Sequence, residues 1–263
     1  MLTALYVPGN RPERFAKAAG SGADLVIVDL EDAVPVDAKS AARAAAVEWL
    51  AGSVAEVRVN TLDSPWGLDD LDALAAVGEV RIRLPKVESV DDVRRVLDLL
   101  PLAKITALLE SPLGVERAFD IACSGVVGVG LGESDLSGLL GVDGPEGLAW
   151  SRGRLISASR AAGLGAPMMS VYPRVNDPDG LYASCLTGRA LGFTGRAAIH
   201  PAQLPIIVEA FTPTSAELAQ ATELLDAVAQ AGTTEGGVLV LPDGRMVDPA
   251  MVTRARELLA LAP

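Results

Sequence analysis

Short runs of valine, isoleucine and leucine recur along the chain, and longer alanine-rich segments separate them. This alternation is typical of βα units that build a parallel sheet. Eight runs can be marked, at residues 4–7, 24–30, 56–60, 80–84, 105–109, 126–131, 167–171 and 196–199. They predict an α/β fold, a closed (β/α)8 TIM barrel, and the length of 263 residues suits barrels of about 250 residues.

Helix signals lie between these runs. Asp37 is placed to cap a helix over 38–50, and Ser89 to cap a helix that ends before Pro101. Asp177 with Pro178 marks the start of a third helix, which runs to Leu191.

The chain continues beyond the eighth run. We therefore predict a barrel over residues 1–211 and a short C-terminal extension of helices and a hairpin over 212–263. In the extension, the segment 241–244 (LPDG) predicts the hairpin turn, and a last helix follows Pro249. The extension is too short for an independent domain, and we expect it to pack on a neighbouring subunit.

Charge and composition exclude several classes of protein. A formal net charge of −12 disfavours nucleic acid and anionic membrane surfaces as partners. No apolar stretch approaches the roughly 20 residues of a membrane span, and the start lacks a charged leader before an apolar segment, so we expect a soluble, cytoplasmic protein. Cys123 and Cys185 are far apart and belong to no CxxC pair, which argues against a disulfide framework or a zinc site.

Two carboxylates follow apolar runs, Glu110 after the fifth and Asp135 after the sixth. Strand ends on one face of a barrel surround the active site, so these acids could share a hard cation. Mg²⁺ prefers one or two carboxylates, whereas zinc favours His or Cys ligands and the chain has one histidine, His200. The alternative is that Glu110 is only a helix N-terminal charge ahead of Pro112 and that Asp135 is only a helix cap.

Further polar residues lie near the ends of the second and third runs, at alternate positions whose side chains would face the same side of the sheet. Asp29 and Glu31 alternate with apolar residues, and so do Arg58 and Asn60. They are candidates for catalytic groups, and the alternative is a salt-bridge network inside the barrel.

Lys86 and His200 offer alternative chemistry. Lys86 follows the fourth run, so a Schiff-base aldolase is a competing hypothesis. His200 precedes Pro201 and no GxSxG motif is present, so a carboxylate is the better candidate for a general base. Five basic residues gather near the N-terminus and form either a solvated face or an anion contact, namely Arg11, Arg14, Lys17, Lys39 and Arg43.

Nine segments together resemble the citrate lyase β-subunit-like proteins of the HpcH/HpaI aldolase and acyl-CoA lyase superfamily. They occur in the family's order over nearly the whole chain: VPGNRPERF, VIVDLEDAV, KSAAR, VRVN, LPKVES, LLES followed by GV, GESDLSGLLG, GFTGRAAIHPAQ and GRMVDPAMV. The resemblance implies a (β/α)8 barrel that assembles as a homotrimer or hexamer. It also implies Mg²⁺-dependent cleavage or formation of a C–C bond beside a thioester or 2-oxo acid.

The resemblance assigns roles by motif position. Glu110 and Asp135 correspond to the metal ligands, and Arg58 to the arginine that binds the substrate carboxylate or carbonyl. Glu31 and Asp32 would orient water at the metal. Asp248 matches a catalytic base that reaches the adjoining subunit's site.

The basic group near the N-terminus would contact the phosphates of coenzyme A. Two departures from the family pattern concern the substrate. Ser170 stands where many relatives carry an acidic residue, and the chain lacks the long C-terminal lid of the larger malyl-CoA lyases. In addition, Asp32 occupies the place of a histidine in the related 2-oxo acid aldolases, which argues against a histidine-based aldolase.

The leading hypothesis is a Mg²⁺-dependent lyase that cleaves a short β-hydroxyacyl-CoA of citramalyl, malyl or citryl type into an acyl-CoA and a 2-oxo acid. Three alternatives stay open. They are a 2-oxo acid aldolase that uses no thioester, a citrate lyase β subunit that acts on an acyl-carrier-protein thioester, and a non-catalytic scaffold that binds CoA or a metal.

Overall fold

The computed structural model describes residues 1–230, 239–240 and 244–260. The chain divides into two compact units, Met1–Val208 and Glu209–Pro263, and each is described by itself. The predicted boundary after residue 211 stays a prediction.

The first unit is an α/β fold built on a seven-stranded parallel sheet with the order β6-β5-β4-β3-β2-β1-β7. The strands are β1 (Thr3–Pro8), β2 (Leu25–Asp29), β3 (Glu56–Arg58), β4 (Arg81–Leu84), β5 (Lys104–Leu109), β6 (Gly128–Leu131) and β7 (Arg196–Ala198). Each coincides with one of the predicted runs. Because all the strands are parallel, their carboxyl ends lie at one edge of the sheet.

Helices connect the strands, as the alternating sequence predicts. They are α1 (Phe15–Ala19), α2 (Lys39–Leu50), α3 (Gly67–Leu74), α4 (Val90–Leu99), α5 (Pro112–Glu116), α6 (Ala118–Ala122), α7 (Glu133–Leu140), α8 (Ala149–Ala161) and α9 (Pro178–Leu191). Short 3₁₀ turns occur at Pro12–Arg14, Val36–Ala38, Ala75–Val77, Pro145–Leu148 and Pro201–Gln203. Among the described residues, no helix is long and apolar enough to cross a membrane.

The predicted seventh strand, 167–171, is not a full strand. Met169 forms a single parallel bridge with Arg196, in which its N–H donates to the Gly195 carbonyl at 2.8 Å and its carbonyl accepts from the Ala197 N–H at 3.1 Å. Prolines at 167 and 173 flank the bridge and offer no N–H for a longer ladder. The described residues show no ladder between this segment and β6, so the closed eight-stranded barrel stays a prediction.

Two of the three predicted caps are confirmed. Ser89 and Asp92 form a capping box at the start of α4, and the Asp177 side chain accepts from the Gly180 N–H at 3.0 Å. The prediction for Asp37 is wrong. That residue lies inside a 3₁₀ turn, and α2 begins without a side-chain cap because Ala38 already has helical dihedral angles.

The chain then passes through α10 (Leu204–Phe211) into the second unit, which contains α11 (Ser215–Gln230), β8 (Leu239–Val240), β9 (Met246–Val247) and α12 (Pro249–Leu259). Its two strands are antiparallel, and the predicted turn residues 241–243 lie outside the described part of the chain. Val228, Val247 and Val252 form its apolar core. Packing of this unit on a neighbouring subunit stays a prediction.

Candidate active site

Five of the candidate residues lie at or just beyond the carboxyl ends of β2, β3, β5 and β6. Arg58 ends β3 and Glu110 follows β5, while Asp135 lies in the first turn of α7. Glu31 and Asp32 follow β2. A cavity of about 1060 Å³ is lined by Arg58, Asp32, Glu110 and Asp135, so residues far apart in sequence meet at one site.

Arg58 is held by Asp29, the last residue of β2 and one of the polar strand-end candidates in the sequence. The guanidinium Nη2 and Nε lie 2.6 and 2.7 Å from the two Asp29 carboxylate oxygens. Its Nη1 lies 3.0 Å from Glu31 Oε2 and 3.1 Å from Asp32 Oδ2. The ion-pair network offered as an alternative is therefore present, and its members Asp29, Asp32 and Arg58 also line the cavity.

Tyr6 of β1 contacts both Arg58 and a second buried arginine, Arg83. The guanidinium carbon of Arg58 lies 5.2 Å from the Tyr6 ring centre, and that of Arg83 lies 5.7 Å from it, both within the range of cation–π contacts. Arg83 is paired with Glu56 at 2.7 Å, and Glu56 also accepts from Thr106 at 2.6 Å. The Arg83–Glu56 pair therefore holds the Tyr6 ring on one side, and the ring contacts Arg58.

Lys86 connects three of the carboxylates. Its ammonium nitrogen lies 3.4 Å from Asp135 Oδ2 and 3.6 Å from Glu31 Oε1, and its backbone N–H donates to Glu110 Oε2 at 3.1 Å. It is the one non-glycine residue of the described chain with a positive φ, 53°, a conformation that is uncommon and strained.

The protonation of Lys86 disfavours the Schiff-base hypothesis. Although burial lowers the pKa of the ammonium, the nearby Glu31 and Asp135 carboxylates outweigh burial and raise this pKa above its ordinary value. A nucleophilic lysine needs the opposite shift.

Two carboxyl groups of the cluster resist ionisation. Burial raises the pKa of Glu31 to about 7. Burial, followed by repulsion from Glu31, raises the pKa of Glu110 to about 7. Both Glu31 carboxylate oxygens are buried and accept no hydrogen bond from the described residues, because Arg58 meets this carboxylate without hydrogen-bond alignment.

Acidic groups outnumber basic groups in the cluster. Five carboxylates (Asp29, Glu31, Asp32, Glu110 and Asp135) surround two cationic side chains, Arg58 and Lys86. A bound cation would relieve this repulsion.

Glycine makes room for the central carboxylate. A Cβ atom at Gly132 would overlap the Glu110 carboxylate, so only glycine fits between β6 and α7 with Glu110 in this place. The α7 helix has Gly132 as its N-cap and no side-chain cap. The alternative that Asp135 is merely a cap is therefore wrong.

The donor set suits Mg²⁺ better than zinc. Nδ1 of His200 accepts from the Ala202 N–H at 3.2 Å, and this residue does not line the cavity. No group of three or more His, Cys, Asp or Glu side chains among the described residues is arranged to hold a metal by itself. Glu110 and Asp135 alone would leave most positions of a Mg²⁺ octahedron to water and substrate, which is this ion's common mode of binding.

The basic residues near the N-terminus divide into two groups. Arg11, Arg14 and Lys17 are exposed, whereas Lys39 is buried and donates to the carbonyls of Leu30 and Glu31 at 2.8 and 2.9 Å. Arg43 pairs with buried Asp70 at 2.7 Å. The structure thus places Lys39 and Arg43 in internal contacts and leaves the other three available to solvent.

Asp248 belongs to the second unit. It is half-buried, and its carboxylate accepts from the Met251 N–H at 2.8 Å as the N-cap of α12. Its role as a base stays a prediction.

The chain is similar to proteins of known class. The model of the family described as HpcH/HpaI aldolase/citrate lyase matches residues 2–201, and the chain belongs to this family. A (3S)-malyl-CoA thioesterase from Cereibacter sphaeroides is 39% identical over 98% of this chain and 93% of that protein. A citrate lyase subunit beta-like protein from Deinococcus radiodurans is 38% identical over 99% and 96%.

Among solved structures, the protein CitE from Mycobacterium tuberculosis in complex with magnesium, acetoacetate and coenzyme A is similar to this chain. The TM-score is 0.85 at 33% identity, with 99% of this chain and 97% of that chain covered. The named relatives are lyases and thioesterases, so the chain belongs to a family of enzymes.

Proposed function

We propose that this protein is a Mg²⁺-dependent lyase that cleaves a C–C bond in a short 3-hydroxyacyl-CoA, releasing an acyl-CoA and a 2-oxo acid. The observation that carries the proposal is the cluster in which Glu110 and Asp135 share Lys86 beside Arg58. The magnesium and coenzyme A named for the CitE structure support it.

Glu110 and Asp135 are the residues that would hold Mg²⁺. The excess of carboxyl groups and the Glu31 oxygens that accept no hydrogen bond from the described residues fit a hard cation at this place. Gly132 leaves room for the Glu110 carboxylate beside it. When bound, Mg²⁺ supplies a Lewis acid that withdraws charge from the oxygens of the substrate.

Arg58 would bind the carboxylate of the 2-oxo acid portion. Asp29 fixes the orientation of the guanidinium through two hydrogen bonds, and such preorganisation lowers the cost of holding the substrate. Glu31 and Asp32 flank Arg58 and would orient water beside the metal ligands.

Cleavage needs a base for the hydroxyl group on C3, and we assign that role to Asp248. The base accepts the hydroxyl proton, and the O–H electrons form the new carbonyl as the C2–C3 bond breaks. The bonding pair moves into the thioester carbonyl as an enolate, and a proton returned to C2 yields the acyl-CoA. An assembly into a trimer or hexamer, in which the second unit meets a neighbour's site, belongs to this proposal.

The coenzyme A phosphates would meet Arg11, Arg14 and Lys17. These exposed side chains follow the carboxyl end of β1, whose last residue Pro8 lines the cavity. Lys39 and Arg43 would support this region from within.

The test is an assay of malyl-CoA, citramalyl-CoA and citryl-CoA in which two products are measured in parallel, the 2-oxo acid by hydrazone formation and free CoA by its thiol. We expect 2-oxo acid to appear with Mg²⁺, to cease in EDTA and to return when Mg²⁺ is restored. The Glu110→Gln variant should lose this activity and the Lys104→Gln variant, altered at the opposite end of the sheet, should keep it. Full activity in chelator would contradict the proposal.

Thioester hydrolysis is a second candidate, because relatives at 37–39% identity over 98% of this chain are named (3S)-malyl-CoA thioesterase. Water would then add to the thioester carbonyl, and the products are the 3-hydroxy acid and free CoA. Free thiol without 2-oxo acid in the same assay would establish hydrolysis instead of C–C cleavage.

A further inference from the structure

Arg196, which lines the cavity, is a buried cation whose partners are all neutral. Arg196 is 2% exposed, and its Nε donates to the Ser170 carbonyl and its Nη2 to Ser184 Oγ, each at 3.0 Å. Its Nη1 lies 3.4 Å from Cys185 Sγ, and the guanidinium lies 5.6 Å from the Tyr172 ring centre. These contacts use three of the five N–H donors of an arginine.

Other arginines that line the cavity have carboxylate partners. Arg58 pairs with Asp29, Arg83 with Glu56 and Arg152 with Glu133. Within the described ranges of the chain, no carboxylate lies within ion-pair distance of Arg196. A buried charge without a counter-charge is unfavourable, unless a ligand supplies the opposite charge.

Arg196 is one of the residues that line the cavity, together with Ser170, Tyr172, Ser184 and Arg174. The Arg174 side chain is 76% exposed, and its Nη1 lies 3.5 Å from Asp177 Oδ2. The volume of about 1060 Å³ is large for a three-carbon acid, since pockets of roughly 300–1,000 Å³ hold drug-sized ligands. The cavity therefore has room for a substrate that extends from the carboxylate cluster to Arg196.

We propose that Arg196, with Arg174 at the rim, forms a subsite for an additional carboxylate of the substrate. A planar guanidinium with free donors suits a carboxylate group. The identity of the ligand rests on the proposed function, and it narrows the substrate to one whose acyl or 2-oxo acid portion carries a second carboxylate.

Met169 offers a way to test the subsite without removing Arg196. The two residues are partners in a parallel bridge, so their side chains lie on the same face. A Cβ atom on Gly188 of α9 would overlap the Met169 side chain, so Met169 points towards α9, as Arg196 does. The Met169→Asp variant therefore places a carboxylate beside the guanidinium and should exclude an external anion.

The experiment is calorimetric titration of the wild type and three variants in the presence of Mg²⁺. The variants are Met169→Asp, Arg174→Met and Thr187→Asp, a control on the exposed face of α9. The probes are pyruvate, the dicarboxylates oxaloacetate and 2-oxoglutarate, and inorganic phosphate. We expect the better dicarboxylate to bind the wild type at least tenfold more tightly than pyruvate. That ratio should fall to about one in Met169→Asp, fall partly in Arg174→Met and persist in Thr187→Asp.

A ratio near one in the wild type, or an unchanged ratio in folded Met169→Asp, would overturn the subsite. Phosphate binding that Met169→Asp abolishes, without a dicarboxylate preference, would overturn the carboxylate assignment. The dicarboxylate preference without lyase activity would uphold the subsite and refute the proposed reaction, so the two failures are distinguishable.

Discussion

The ammonium nitrogen of Lys86 lies 3.4 Å from Oδ2 of Asp135, at the point where the proposed metal ligands converge. The same residue donates its backbone N–H to Glu110. The side chain of Lys86 thus places a positive charge among carboxylates that repel each other, while its backbone holds one of the two proposed ligands.

Replacement of Lys86 by Met should tighten Mg²⁺ binding about fivefold. The ammonium competes with the metal, and both partners are 46% exposed, so solvent screening limits the interaction to about 1 kcal/mol. The backbone hydrogen bond to Glu110 stays. Calorimetry with Mg²⁺ measures the change, with Lys104→Met as a charge-matched control. Weaker binding by Lys86→Met would show that the ammonium positions the ligands instead of competing.

Gly132→Ala should reduce activity by roughly a hundredfold or more, because the new Cβ displaces the Glu110 carboxylate and misplacement by about 1 Å has such effects. The control is Gly138→Ala in α7, where a Cβ meets nothing within 4 Å. Turnover with Mg²⁺ would be compared for the two variants. Equal activity would mean that Glu110 does not need its observed position.

Tyr6→Leu should raise KM about tenfold while Tyr6→Phe stays near the wild type. The ring supports Arg58 at 5.2 Å, a contact worth up to about 2 kcal/mol when desolvated, and Phe retains the ring. Steady-state kinetics separates KM from kcat. If both variants behave alike, the ring does not position Arg58.

Asp248→Asn should lower kcat by about 10²–10⁴, the usual contribution of a general base. Asn is as good an N-cap as Asp, so α12 and the thermal midpoint should be unchanged. Asp226→Asn, on the exposed face of α11, is the control. Normal turnover of Asp248→Asn would exclude this residue as the base.

Arg43→Met should destabilise the fold by about 3 kcal/mol, because it leaves the fully buried Asp70 without its cation. Urea denaturation measures the loss. CoA affinity should be unchanged in the folded variant, whereas Arg14→Met should weaken it without loss of stability. The reverse pattern would place Arg43 in direct contact with coenzyme A.

Much of the sheet could be predicted from local patterns. Seven runs of valine, isoleucine and leucine are strands of the parallel sheet, since such runs indicate buried strands whatever lies far away. The segment 167–171 was indistinguishable by composition, and its reduction to one bridge depends on prolines and on partners elsewhere in the chain.

Site residues were predicted as a set, but not their relationships. The alternation of Asp29 and Glu31 with apolar residues predicted a polar strand end. Only the structure shows that Asp29 fixes the orientation of Arg58. In the N-terminal basic group, Lys39 and Arg43 looked equivalent to Arg11 and Arg14. In the structure, Lys39 donates to backbone carbonyls and Arg43 pairs with Asp70. These partners are 8 to 27 residues away along the chain.

The family, the parallel α/β architecture and the acids at the strand ends could be predicted from the sequence, because they follow from short-range periodicity and from motif order. Which charges meet depends on the folded structure. Lys86 reaches Glu31, Asp135 and Glu110, whereas Arg196 reaches no described carboxylate. Charge pairing acts through space over a few ångströms, and neighbours in space are set by the register of the strands, which no local stretch of sequence encodes.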